Sequence, residues 1–191
     1  EKEIPEFVIK GLKKFTAISV RDQTTEKLVE KVTGKKPTIV LDPTFLVDWE
    51  IKESAPVKAK DYILMYYCEH LPQNIKEQIF NYAEANGLSV YGAGESDKEY
   101  KECTVNMTPQ EWAAMFKNAK FVFTGTFHGA VFSILNHVQF KVYLTNKGRI
   151  AKVGNLLNLF GIKDRNITNE YIFDLEKQKN EIDYKAVDEQ I

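Results

Sequence analysis

A histidine stands between two glycines at the point where an apolar strand-like run gives way to an apolar helix-like run. The segment is Thr124-Gly125-Thr126-Phe127-His128-Gly129. Its glycines would let the backbone approach a ligand closely, its threonines add hydroxyl donors, and a helix start offers free N–H groups. An imidazole can give or take a proton near neutral pH. The segment suits a phosphate or carboxylate. The alternative, that His128 only caps or packs against the helix, stays open.

Three other turns carry charged residues at the same kind of position, after a strand-like run and before a helix. Arg21 could clamp a carboxylate or phosphate through two hydrogen bonds. Alternatively, it could pair with Asp22 or be a surface ion. Lys147 and Arg149 flank a glycine at the start of the last clear helix. They could hold an anion or form a solvated basic turn. Glu95 follows a Gly-Ala-Gly turn, where it could meet a sugar or ribose hydroxyl or belong to a plain flexible loop.

Several classes of site and partner are disfavoured by the sequence. No second His, Cys or carboxylate stands at metal-ligand spacing from His128, and the pattern lacks the Lys-Ser/Thr of a P-loop. Cys68 and Cys103 form no metal or redox pair, so we expect free thiols. The net charge of -1 gives no basic excess for nucleic acid. No apolar run reaches the roughly 20 residues that span a bilayer, and we expect a cytoplasmic protein.

The elements that must position these turns alternate between short apolar strands and amphipathic helices. The strands are predicted at 15–20, 38–41, 62–67, 88–91, 120–124 and 140–144. The helix after His128 is predicted at 129–136, and the segment 108–111 has the pattern of a capping box. This alternation predicts an α/β fold in a single domain, a doubly wound parallel sheet with helices on both faces. Ligands of such sheets bind beyond the carboxyl ends of the strands, where all four turns stand.

Several segments in order resemble the polysaccharide pyruvyl transferase family. They are Ile-Ser-Val-Arg-Asp at 18–22, Leu-Asp-Pro-Thr-Phe-Leu at 41–46, and the stretch 119–129. The later stretch from Arg149 to Arg165 is similar to a common bacterial branch of that family. The resemblance covers residues 15 to about 165, and the ordered set is more specific than any one segment.

The resemblance implies a fold of two Rossmann-like lobes, as in GT-B glycosyltransferases, with this chain as the C-terminal, donor-binding lobe. Residues 1–20 would be the end of a missing N-terminal lobe, and residues 21–191 the C-terminal lobe. The chain begins with Glu1 rather than Met. We interpret it as a fragment of a longer protein and expect it to be inactive alone.

Characterised family members transfer a pyruvyl group from phosphoenolpyruvate to sugar hydroxyls, forming a cyclic ketal on a cell-surface glycan. The resemblance therefore implies a bacterial transferase of exopolysaccharide biosynthesis. Its partners would be an anionic small-molecule donor and a saccharide acceptor, free or lipid-linked, and no nucleic acid. No metal or organic cofactor follows from this chemistry. A cytoplasmic location is implied, with attachment to the inner face of the membrane as the alternative.

By resemblance, Arg21 matches the arginine of the family's strand-end motif, and His128 matches the histidine of its Arg-Phe-His-Gly motif. Both are implied to be catalytic. The chain departs from the motif at Thr126, where the family has arginine, and losing a charged anion ligand is costly unless another charge replaces it. Either the donor differs, or Lys147 or Arg149 supplies the charge. The full set of candidate donor-binding residues is Thr124, Gly125, Thr126, Gly129, Lys147, Arg149 and Glu95.

Two other functions are compatible with the same residues. A GT-B-like glycosyltransferase lobe would bind a nucleotide-sugar, with Glu95 on the ribose and the helix start after His128 on the diphosphate. A non-catalytic interaction lobe would need no open site. It predicts that Arg21 and His128 lie far apart or point into the core.

Overall fold

The computed structural model describes residues 3–47, 49, 51, 55–57, 59, 61–178 and 182–191. The chain folds into two compact units, Glu1–Val47 and Asp48–Ile191. The assignment of residues 1–20 to a first lobe and of 21–191 to a second lobe stays a prediction. Among the described residues, no helix has the length and apolar character needed to cross a membrane.

The first unit is built around a short parallel strand pair. Its elements are α1 (Glu6–Leu12), β1 (Ser19–Val20), α2 (Gln23–Thr33), β2 (Thr38–Ile39) and a 3-10 helix (Pro43–Leu46). Ser19 lies opposite Thr38 in the ladder. The predicted strands at 15–20 and 38–41 are thus shortened, because only two residues of each enter the ladder. Asp22 caps α2, where its carboxylate accepts the N–H of Thr25 at 2.8 Å.

The second unit holds a four-stranded sheet. Its elements are β3 (Tyr62–Tyr66), α3 (Gln73–Ala85), β4 (Ser89–Gly92), α4 (Pro109–Lys117), β5 (Phe121–Thr124), α5 (Phe127–Leu135), β6 (Phe140–Val142), α6 (Lys147–Leu159), a 3-10 helix (Lys163–Arg165), α7 (Leu175–Gln178) and α8 (Tyr184–Asp188). The strand order is β4-β3-β5-β6, and every neighbouring pair is parallel. The predicted Rossmann-like α/β fold is confirmed.

Helices cover both faces of this sheet, because successive side chains of a strand point to opposite sides. Ile63 and Met65 of β3 lie in the apolar core that α3 completes. On the opposite face, the hydroxyl of Tyr62 donates to the backbone carbonyl of Met115 in α4 at 2.7 Å. A strand buried on both faces needs an almost continuous apolar run, and Tyr62–Tyr66 has one.

Three predicted boundaries next to the site are wrong. Strand β6 ends at Val142 rather than at 144, and the other two differences have a local reason. Strand β3 ends at Tyr66 rather than at 67, because Tyr67 has a φ of 55° and so leaves the extended conformation. Helix α5 begins at Phe127 rather than at Gly129, because the side chain of Thr126 caps it. His128 therefore lies inside the first helical turn. The predicted capping box of α4 is confirmed, with reciprocal bonds between Thr108 and Glu111.

The central position of β3 leads to a stability prediction. Leu64 is fully buried in this strand, so Leu64→Ala leaves a cavity and should lower the free energy of unfolding by about 2–5 kcal/mol. Leu159→Ala is the matched control, because Leu159 on α6 is 51% exposed. It should change the free energy by no more than about 0.5 kcal/mol. Urea denaturation of both variants measures the difference. Equal losses would contradict the described burial of β3.

Candidate functional site

The strand order places a topological switch point between β3 and β5. The chain passes from β3 to β4 on one side and then returns to β5 on the other side of β3. The connections leaving β3 and β5 therefore run in opposite directions, which opens a crevice beyond the carboxyl ends of these strands. This is where doubly wound proteins bind their ligands.

A crevice does lie at that position. Its walls come from the ends of β3, β5 and β6 and from the start of α6: Tyr67, Cys68, His70, Leu71, Phe123, Thr124, Gly125, Tyr143, Thr145 and Arg149. Its inner space is about 10 Å³, which holds roughly one water molecule. A larger ligand has room only at the mouth of the crevice, where the side chains of Tyr67, His70 and Thr145 are exposed.

The turn between β5 and α5 packs closely on the end of β3. The N–H of Gly125 donates to the carbonyl of Tyr66 at 3.0 Å. A Cβ at position 125 would lie 2.5 Å from the carbonyl oxygen of Tyr67, and one at position 129 would collide with the side chain of Thr124. Other atoms of the protein therefore fill the space in which Gly125 and Gly129 lack a side chain.

The hydroxyls of Thr124 and Thr126 are both used within this turn. The Oγ1 of buried Thr124 accepts the N–H of Thr126 at 3.2 Å, and the two Oγ1 atoms are 3.2 Å apart. The Oγ1 of Thr126 accepts the N–H of Gly129 at 3.0 Å. Thr126 thus serves as the N-cap of α5, a position at which threonine is preferred.

His128 is exposed at the second residue of α5. Its ring packs edge-on against Phe127, with the ring centroids 5.5 Å apart. In the part of the chain that the structure describes, no acceptor bonds the backbone N–H groups of Phe127 and His128. An imidazole and two free N–H groups therefore share the positive end of the α5 dipole. His128 does not line the crevice itself, and its acid–base role stays a prediction.

Lys147 and Arg149, at the start of α6, differ in their position relative to the crevice. Asn146 caps α6 by accepting the N–H of Gly148 at 2.9 Å. Arg149 lines the crevice, and its guanidinium lies over the ring of Tyr67, 5.3 Å from the centroid. Within the described ranges, no carboxylate pairs with Arg149. Lys147 is exposed and is not among the lining residues. Of the two, Arg149 is the cation at the crevice.

The carboxylate of Glu95 connects two other residues of the protein through hydrogen bonds. One carboxylate oxygen accepts the N–H of Tyr67 at 3.0 Å, and the other accepts the hydroxyl of Tyr100 at 2.9 Å. Burial raises the pKa of Glu95 above its ordinary value, although these two bonds favour the charged form. Both oxygens are thus engaged inside the protein, although Glu95 lies in the irregular segment after β4. The flexibility of this loop stays a prediction. A contact of Glu95 with a sugar or ribose stays a prediction.

Three crevice residues were not among the site residues that the sequence predicts. Tyr67 looked like the last residue of a strand, and only its positive φ sets it apart. His70 is exposed and has its Nε2 3.4 Å from a carboxylate oxygen of Glu69. Cys68 is buried, and burial raises the pKa of its thiol to about 12, so it is not a nucleophile near neutral pH.

In the first unit, Arg21 and Asp42 form an ion pair at the carboxyl ends of β1 and β2. The alternative that paired Arg21 with Asp22 is wrong, because Asp22 caps α2 instead. Asp42 is buried and also accepts the N–H of Thr44 at 2.9 Å. Burial by itself raises the pKa of Asp42. The bonds from Thr44 and the charge of Arg21 outweigh it, so the pKa lies below its ordinary value.

The family model described as polysaccharide pyruvyl transferase matches residues 2–144 of the chain. The chain belongs to the polysaccharide pyruvyl transferase family. Searches of the curated proteins and of the solved structures returned no match. The matched residues include Arg21, Asp42 and the β3 and β5 walls of the crevice, while Arg149 lies beyond them.

Membership in the polysaccharide pyruvyl transferase family implies a small-molecule donor and a saccharide acceptor. Arg21 and His128 are the two residues that the resemblance implies to be catalytic. Neither points into a core: His128 is exposed, and the side chain of Arg21 is 50% exposed. They belong to different compact units.

The tight turn of this pyruvyl transferase family member gives a second stability prediction. Gly125→Ala brings a Cβ against the carbonyl of Tyr67 and should lower the free energy of unfolding by about 1–3 kcal/mol. The control is Gly154→Ala on α6, where a Cβ meets nothing within 4 Å. It should raise the free energy by about 0.5–1 kcal/mol, because alanine favours helix more than glycine does. Urea denaturation of both variants measures the change in the free energy of unfolding. We expect the two changes to have opposite signs.

The ion pair of the first unit gives a prediction about pH. Arg21→Gln removes the positive charge beside Asp42, so the pKa of Asp42 should rise from its low value toward or above the ordinary 3.8. Because the pKa of Asp42 is lowered by folding, its stabilising effect is present near neutral pH and is lost as the pH falls through that lowered pKa. An NMR titration of the carboxyl carbon measures it. An unchanged midpoint in Arg21→Gln would show that the pair carries no charge interaction.

Proposed function

We propose that this chain binds phosphoenolpyruvate for transfer of its pyruvyl group to sugar hydroxyls of a bacterial surface polysaccharide. The observation that carries the proposal is the crevice at the β3–β5 switch point, with the guanidinium of Arg149 at its wall. Family membership supplies the reaction class. The identities of the donor and of the acceptor go beyond family membership and are the part that we propose.

The two anionic groups of the proposed donor suit two sets of N–H groups in the second unit, one at the crevice and one at the start of α5. Phosphoenolpyruvate carries a carboxylate and a phosphate. A guanidinium binds either one through two parallel N–H donors. The free N–H groups of Phe127 and His128 at the positive end of α5 suit the other. Both sets of donors come from segments that follow β5 and β6, which are neighbours in the sheet.

The departure at position 126 is compatible with this donor. Thr126 contributes an N-cap rather than a charge. In the proposal, Arg149 supplies the positive charge. The family's arginine would supply it from the turn between β5 and α5, where this chain has Thr126. Without a replacement charge, an anionic donor would lose a strong charge-assisted contact.

The reaction needs one acid and two deprotonations. A proton added to C3 of the enol makes C2 electrophilic, and a sugar hydroxyl attacks C2 and loses its proton. The bond between C2 and the phosphate oxygen then breaks, and a second hydroxyl attacks C2 to close the ketal. Of the two protons lost by the hydroxyls, one balances the proton on C3 and the other leaves on the phosphate. We assign proton transfer to His128. Arg21, whose guanidinium pairs with Asp42, keeps the catalytic role that the resemblance implies.

The two other functions make different predictions. A nucleotide-sugar lobe needs a free acceptor for the ribose, and both oxygens of Glu95 already accept hydrogen bonds inside the protein. A non-catalytic lobe needs no binding of small anions at all. Binding measurements with phosphoenolpyruvate and with nucleotide-sugars therefore separate all three.

Calorimetry on the full-length protein tests the donor. Phosphoenolpyruvate should bind with a Kd in the micromolar to millimolar range, and Arg149→Gln should weaken binding at least tenfold, about 1.4 kcal/mol. Lys152→Gln is the matched control, because Lys152 is an exposed cation on the same helix. It should leave the Kd within about twofold. His128→Ala should weaken binding less than Arg149→Gln does.

The outcomes that would overturn the proposal are specific. No heat at millimolar phosphoenolpyruvate would remove the donor. Tighter binding of a nucleotide-sugar, measured by thermal shift on the same protein, would favour the glycosyltransferase alternative. Absence of binding for both ligand classes would favour the interaction lobe.

A further inference from the structure

Tyr67 has an unfavourable backbone conformation for its residue type. Its φ of 55° lies in the left-handed region, which a bulky residue rarely adopts. The neighbouring loops hold it there. Glu95, after β4, accepts its N–H at 3.0 Å, and Gly125, after β5, packs against its carbonyl. Non-glycine residues held in this way cluster at functional sites.

Core packing does not account for this conformation. The side chain of Tyr67 is 46% exposed, and its ring packs edge-on against Tyr66 with centroids 5.1 Å apart. Glycine would adopt the same φ at no steric cost. The guanidinium of Arg149 lies over the same ring, 5.3 Å from its centroid. An aromatic residue at this position therefore provides a flat face for the cation of Arg149.

The stack leaves Arg149 able to bind an anion. Its guanidinium is planar, and an aromatic ring interacts with the flat face of the cation. The N–H donors lie in the plane and point away from the ring, so stacking and binding an anion edge-on are compatible. Stacking also restricts the flexible side chain, so less conformational freedom is lost when the anion binds.

We propose that Tyr67 is a positioning residue for the donor. It holds the guanidinium of Arg149 at the wall of the crevice, so that the N–H edge meets a carboxylate or phosphate at the mouth. Glu95 acts through Tyr67 by fixing its backbone, and Tyr100 fixes Glu95 in turn. This proposal rests on the proposed function, since it names the residue that sets donor affinity at the same crevice.

A set of substitutions at position 67 tests the proposal in the full-length protein, with phosphoenolpyruvate and inorganic phosphate as probes. Tyr67→Phe keeps an aromatic face and should bind both probes within about twofold of the wild type. Tyr67→Leu removes the aromatic face and should raise the Kd about three- to tenfold. Tyr67→Gly relaxes the left-handed backbone, so it should fold at least as well as Tyr67→Leu and bind as weakly.

A double-mutant cycle separates positioning from a general structural effect. If Tyr67 acts through Arg149, then Tyr67→Leu should cause no further loss of binding in the Arg149→Gln background. The Nε–H proton of Arg149 in the wild type should show a ring-current shift in NMR spectra, and this shift should disappear in Tyr67→Leu.

Three results would overturn the positioning role: an unchanged Kd in Tyr67→Leu, equal losses in both backgrounds, or no ring-current shift. If the wild type bound neither phosphoenolpyruvate nor inorganic phosphate, the proposed function would be overturned instead. The NMR shift would then still report whether the stack exists.

Discussion

The site depends on how closely the β5–α5 turn packs against the end of β3. The N–H of Gly125 bonds to the carbonyl of Tyr66, and no Cβ fits between position 125 and the carbonyl of Tyr67. This packing brings three features together: the start of α5, the left-handed residue Tyr67 that follows β3, and the stack of Arg149 on its ring. A bulkier turn would separate them, because interiors packed at this density cannot absorb an added methyl group without a shift.

Two carboxylates of the described residues accept hydrogen bonds from donors of the chain, Glu95 in the second unit and Asp42 in the first. At the crevice, the guanidinium of Arg149 lies over the ring of Tyr67, and no carboxylate of the described residues forms an ion pair with it. An aromatic partner leaves the hydrogen-bonding capacity of a guanidinium unused. The threonine at position 126 carries no charge and stabilises the start of α5 as its N-cap.

In the first unit, the structure brings together two of the sequence segments that resemble the family. Arg21 follows β1 and Asp42 follows β2, and parallel pairing brings the ends of these strands side by side. The carboxylate of Asp42 takes one edge of the guanidinium and is itself fixed by Thr44. The guanidinium is thereby oriented, although half of its side chain stays exposed.

The sequence by itself determined the α/β class, the positions of the strands and turns, and the family, because apolar periodicity and the order of motifs are local properties. It also singled out His128 and Arg149 as charged or titratable residues after strands. Only the tertiary structure decided that Arg149 rather than Lys147 lines the crevice, that Arg21 pairs with Asp42 rather than Asp22, and that Tyr67 belongs to the site. These outcomes depend on strand order and on a backbone angle imposed by distant contacts, and neither is encoded in the neighbouring residues.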